Sequence, residues 1–100
     1  MDKLFLRPKD LQILIEIFDK YCSNAEIWAY GSRIDGTAHE GSDLDLVVKS
    51  FNDESKNVYA LKQLISDSNI PILVDIHQYD KLPDYFKTEI ERNYIIIYKH

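Results

Sequence analysis

The stretch Asp43-Leu44-Asp45-Leu46-Val47-Val48 constrains the fold of this chain more than any other. Side chains alternate along a strand, so residues two apart share a face. Asp43 and Asp45 then point one way, and Leu44, Leu46 and Val48 the other. Such a strand buries one face and turns paired negative charge out on the other. Two like charges side by side, partly withdrawn from water, drive one carboxyl to keep its proton or both to bind a cation. A third carboxylate sits in a similar setting, Asp75 within Ile72-Leu73-Val74-Asp75-Ile76. Apolar strand interiors rarely carry an unpaired aspartate. If this strand lies beside the one bearing Asp45, three carboxylates meet on one face. An all-oxygen donor set suits Mg²⁺ or Mn²⁺ rather than zinc. Two such ions, about 3.5–4 Å apart and bridged by a shared carboxylate, serve in-line phosphoryl or nucleotidyl displacement.

Twelve positions before Asp43, Gly31-Ser32 follows an apolar run. A glycine at a strand-to-helix turn lets backbone N–H groups approach an anion. Ser32 adds a hydroxyl, and Arg33 a charge able to hold a phosphate. The expected site is thus a phosphate cradle of Gly31, Ser32 and Arg33 beside metal ligands Asp43, Asp45 and Asp75. Asp-x-Asp alone is usually a solvated turn, and Gly-Ser alone says little. Their spacing, with a third strand aspartate downstream, is what carries the reading.

Around this site the periodicity predicts an alternating order of helices and strands. Leu11, Leu14, Ile15 and Phe18 give an amphipathic helix over 8–22, opened by Pro8. Residues 25–30 read as a buried strand with Trp28 in the core. Residues 32–36 form a single helical turn and 43–49 a second strand. Asn52 or Asp53 is expected to cap a helix running to about Ser68. Pro71 opens a third strand through His77, Asp80 and Pro83 start a last helix, and 94–98 are a closing strand. The expectation is an α/β (α+β) fold: a small mixed sheet of about four strands with helices packed on it, forming one domain over residues 1–100.

The bulk composition excludes several function classes. Net charge −5 over 100 residues argues against stable nucleic-acid binding, which needs a basic surface. Cys22 is the only cysteine, so no internal disulfide forms. There is no signal peptide and no long apolar run, so a cytoplasmic protein without membrane association is expected. No Gly-x-x-x-x-Gly-Lys-Ser/Thr occurs, which removes P-loop kinases. Acidity and size disfavour a polynucleotide polymerase.

At Gly31-Ser32, ten intervening residues, Asp43-Leu44-Asp45 and the later Asp75, the sequence resembles the minimal nucleotidyltransferases of the DNA polymerase β superfamily. Arg33, Gly36, Ala38 and Ser42 extend the likeness to the small stand-alone members. The resemblance implies the polymerase β-type nucleotidyltransferase fold. It implies that Gly31 and Ser32 contact the β- and γ-phosphates of ATP or another NTP. It implies that Asp43 and Asp45 bind two Mg²⁺ ions, and that Asp75 binds the catalytic one and helps activate the attacking hydroxyl. It further implies an antitoxin whose partner is an all-helical HEPN ribonuclease toxin, silenced by moving AMP from ATP onto its tyrosine. The alternative is a non-catalytic module that neutralises its partner by occlusion.

The remaining singular residues read more plainly. His77 shares a face with Asp75, where it could stand behind a metal ligand, but it reads first as a strand-end surface histidine. His39 reads as solvated loop, and Tyr94 and Tyr98 as strand residues at the sheet margin.

Overall fold

The computed structural model describes residues 4–39 and 41–100. Helix α1 spans Pro8–Tyr21, β1 Glu26–Tyr30, α2 Ser32–Asp35, β2 Leu44–Ser50, α3 Val58–Ser66, β3 Val74–Gln78, α4 Asp84–Arg92 and β4 Tyr94–Lys99. The sheet order is β3-β2-β1-β4. Strand β1 is antiparallel to both β2 and β4, and β2 is parallel to β3. The sheet is mixed and four-stranded, as expected. The parallel pair follows from α3, which supplies the crossover that two parallel strands require.

The apolar sides of the central strands form the core. Leu44, Leu46 and Val48 of β2 are buried with Ile27 and Ala29 of β1 and Ile76 of β3. Leu14 and Phe18 of α1, and Val58, Leu61 and Ile65 of α3, complete it. Trp28 is buried as expected. So is Cys22, whose thiol burial pushes up to about 11, which leaves it inert as a nucleophile. Among the described residues two polar side chains are buried, Asp10 and Arg33. Asp10, in the first turn of α1, is buried and held by Arg7, with Arg7 Nε donating to Oδ2 at 2.9 Å and a second N–H donating to Oδ1 at 3.2 Å. A bidentate guanidinium satisfies both carboxylate oxygens at once.

Three element boundaries differ from expectation, each for a local reason. The third helix begins at Val58, and its cap is Asn57, whose Oδ1 accepts from Ala60 N at 2.9 Å. Asn52 and Asp53 do not cap it. Asn52 has φ +53°, and Asp53 Oδ1 accepts from Ser55 N and Ser55 Oγ in a tight turn. The third strand begins at Val74, not Pro71, and the last helix at Asp84, after a separate 3₁₀ turn over Tyr79–Lys81. Among the described residues, no helix is long and apolar enough to cross a membrane.

The connection from β3 to β4 crosses the sheet on the side that Asp45 faces. Tyr79 lies edge-on to Trp28 with ring centroids 5.8 Å apart, and Phe86 of α4 lies edge-on to Tyr30 at 5.9 Å. Lys49 Nζ sits 3.8 Å from the Tyr79 ring centroid and pins this crossing to β2. The aromatic contacts cover part of that face and leave the end bearing the carboxylates open.

Candidate active site

Backbone register brings two of the predicted carboxylates together. Asp45 pairs with Asp75 across the parallel β2–β3 ladder and with Tyr30 across the antiparallel β1–β2 ladder. Tyr30 in turn pairs with Tyr94. One row across the sheet therefore reads Asp75, Asp45, Tyr30, Tyr94. Asp43 stands one residue before β2, exposed, and near enough for its charge to act on Asp45.

The electrostatics of Asp45 record this crowding. Burial holds its carboxyl above the ordinary carboxylate range, and the charges of Asp75 and then Asp43 raise it further, while His77 acts the other way. The phenol of Tyr30 is raised by burial and by the same two carboxylates, Asp45 and Asp75. The face thus concentrates negative charge that a cation would relieve. Among the described residues, no three His, Cys, Asp or Glu side chains converge into a ready-made metal cage. Asp45 with the exposed Asp43 and Asp75 offers hard oxygen donors of the kind Mg²⁺ takes together with waters and substrate phosphates. The donor chemistry and the local charge both suit a hard divalent ion.

Gly31 is the tightest point of the site. It ends β1 with φ +80° and ψ −154°, a conformation open essentially to glycine alone. A Cβ there would overlap Asp45 Oδ2 and lie 3.2 Å from Asp45 Cγ. The Gly-Ser turn and the first strand carboxylate are therefore in direct apposition. Ser32 opens the four-residue α2 and is half-buried beside them.

Arg33 requires a correction. Its guanidinium is not turned toward a phosphate. The residue is 4% exposed and donates from Nε and one terminal N–H to Ser42 O, at 2.9 and 2.7 Å, and from the other to Phe5 O at 2.6 Å. It also stacks over the Phe5 ring. Arg33 is a clamp that ties the N-terminal segment and the end of the 31–42 loop to α2, just ahead of Asp43. Its charge is consumed by carbonyls. Replacing it with methionine is expected to cost at least about 1.5–3 kcal/mol of stability, the worth of a hydrogen bond to a charged group. Urea unfolding checks this. Arg33→Lys should rescue little, because one ammonium cannot reach both carbonyls.

Two contacts lay beyond the sequence reading. One is the apposition of Gly31 and Asp45, which needs the β1–β2 register. The other is His77, whose Nε2 lies 3.2 Å from Asp75 Oδ2. Its spacing of two from Asp75 was the available signal.

Comparison with known proteins decides the family. Residues 12–100 match the family described as Polymerase beta, Nucleotidyltransferase. The chain belongs to this nucleotidyltransferase family. A Haemophilus influenzae protein named "Probable protein adenylyltransferase MntA" is 31% identical over 98 residues, covering 95% of this chain and 84% of that protein. A solved chain described as "Crystal structure of the toxin-antitoxin with AMP-PNP" superposes with TM-score 0.71 at 19% identity, over 90% of this chain and 73% of that one. At that identity the second likeness is one of fold. The expected family, fold and nucleotidyltransferase class all stand.

Proposed function

We propose that this chain transfers AMP from ATP to a hydroxyl, a tyrosine, of a partner toxin of the helical HEPN type, and acts as its antitoxin. The observation that carries the reading is the row of Asp75 and Asp45 abutting Gly31, with Asp45 held above its ordinary protonation range by burial and then by the charges of Asp75 and Asp43. A strand that only packed against a partner has no use for such repulsion. The relative named as a protein adenylyltransferase, and the fold neighbour described as a toxin–antitoxin with AMP-PNP, support the choice of donor and partner.

In this reading Asp43, Asp45 and Asp75 hold one or two Mg²⁺ ions, with Mn²⁺ able to replace them. Held there, such ions would neutralise charge at the phosphates and ease loss of the proton from the attacking hydroxyl. Ser32 donates to a terminal phosphate oxygen and so orients the leaving pyrophosphate. Asp75, the most exposed of the strand carboxylates, stands on the acceptor side.

The test is intact-mass analysis of the co-purified partner after incubation with ATP and Mg²⁺. One added AMP unit is expected, lost with EDTA. Ser32→Ala should weaken ATP binding and transfer together by roughly 1.5–3 kcal/mol, one hydrogen bond to a charged group. A second reading, neutralisation by occlusion without transfer, draws on the lack of a closed three-ligand cage among the described residues. It wins if the partner is neutralised with its mass unchanged.

A further inference from the structure

His77 stands two residues beyond Asp75 on β3, opposite Val47 in the parallel register, and so on the carboxylate face. Its Nε2 is 3.2 Å from Asp75 Oδ2. An ionised carboxylate only accepts hydrogen bonds, so the ring presents Nε2–H to it. Among the described residues this is the one side-chain hydrogen bond that Asp75 receives. The Asp75 side chain is 53% exposed, so packing does little to fix it. The torsion about its Cβ–Cγ bond is intrinsically broad, and one hydrogen bond selects an orientation.

We infer that His77 is a positioning residue for Asp75: by holding Oδ2 it fixes the plane in which the carboxylate would help hold a divalent cation. The inference rests on the reading of Asp75 as a metal ligand. It assigns His77 no contact with substrate and no proton to move. Groups that orient a ligating carboxylate in this way commonly matter by about 10–100-fold in metal affinity or rate.

Calorimetric titration of the intact chain with Mn²⁺ alone tests this without needing transfer. His77→Ala and His77→Phe are expected to weaken Mn²⁺ binding by about 10-fold or more. His77→Gln, whose amide N–H reaches the same oxygen, should recover affinity to within about threefold of wild type. On an Asp75→Asn background, His77→Ala should change affinity by less than about twofold, because the pair acts as one unit. In transfer assays with the partner, His77→Ala should lower kcat while the KM for ATP holds. Equal Mn²⁺ affinity in wild type and His77→Ala overturns the inference. So does a His77→Gln as weak as His77→Ala, an additive loss on the Asp75→Asn background, or a wild type that binds no Mn²⁺. A wild type that binds Mn²⁺ but labels no partner removes the transfer reading alone, and the metal titrations still decide the role of His77.

Discussion

Asp45→Asn is expected to abolish AMP transfer and, in metal-free buffer at neutral pH, to raise the melting temperature. The two effects have one origin. Asp45 is flanked by Asp75 across β2–β3 and by Asp43 two residues earlier, and it is half-buried. Its carboxyl is therefore harder to ionise in the folded chain than in the unfolded one. For an acid raised on folding, the native state binds more protons than the unfolded state between the two values. Stability from this group is then fully present in acid and is lost as pH rises through the raised folded value. At neutral pH the wild type carries the repulsion unrelieved, and asparagine removes it. The advantage of Asp45→Asn should shrink as pH falls below the ordinary carboxylate range, where both side chains are neutral.

Millimolar Mg²⁺ is expected to reverse the comparison. Binding to the folded state alone stabilises by about 2.7 kcal/mol at a hundredfold excess over Kd. That gain belongs to the wild type and is expected to vanish in the variant. If Asp45 holds metal as proposed, its loss should remove several kcal/mol of transition-state stabilisation, and transfer should fall by about 10³-fold or more. Melting curves at two pH values, with and without Mg²⁺, read the stability arm, and partner mass reads the transfer arm. A variant that responds to Mg²⁺ as the wild type does defeats the metal-site reading.

The carboxylate face was legible in the sequence because strand alternation is a rigid rule. Once Leu44, Leu46 and Val48 go to the core, Asp43 and Asp45 have one direction left. Asp75 needed an assumption that β3 lies beside β2, and the parallel register places it directly opposite Asp45. Arg33 misled because a basic residue after Gly-Ser invites a phosphate, whereas its fate is set by carbonyls at Phe5 and Ser42 that are remote in sequence. The start of α3 was misplaced because Asn52, Asp53 and Asn57 are all competent caps. Local turn chemistry at Asp53 and Ser55 engages the earlier candidate before a helix can begin. His77 was underrated because its value depends on a side-chain contact that spacing permits but does not demand. What was readable followed from period and register, and what was not followed from competition between partners far apart in the chain.

Gly31→Ala should cost both stability and catalysis, and Gly36→Ala separates the two causes. Both glycines have positive φ, +80° and +88°. Alanine in such a conformation costs about 1–3 kcal/mol at either position. In a domain of this size each kcal/mol is roughly 4–8 °C of melting temperature. The difference between them is what a methyl group would meet. At Gly36 nothing lies within 4 Å, whereas at Gly31 the new Cβ overlaps Asp45 Oδ2 and crowds its Cγ and Cβ. The backbone of Asp45 cannot retreat, because it is paired with Tyr30 on one side and Asp75 on the other. The side chain must turn instead, and that moves a central carboxylate by a large fraction of an ångström. Misplacement on the order of 1 Å can cost about 10²-fold in rate. Gly31→Ala is therefore expected to lose transfer and Mg²⁺-dependent stabilisation together with thermal stability. Gly36→Ala should lose stability alone and keep Mg²⁺ affinity near wild type. Thermal melts with and without Mg²⁺, run beside transfer assays on the two variants, make the comparison. If Gly31→Ala retains wild-type metal affinity and rate after allowance for its unfolded fraction, the apposition of Gly31 and Asp45 serves packing and not chemistry.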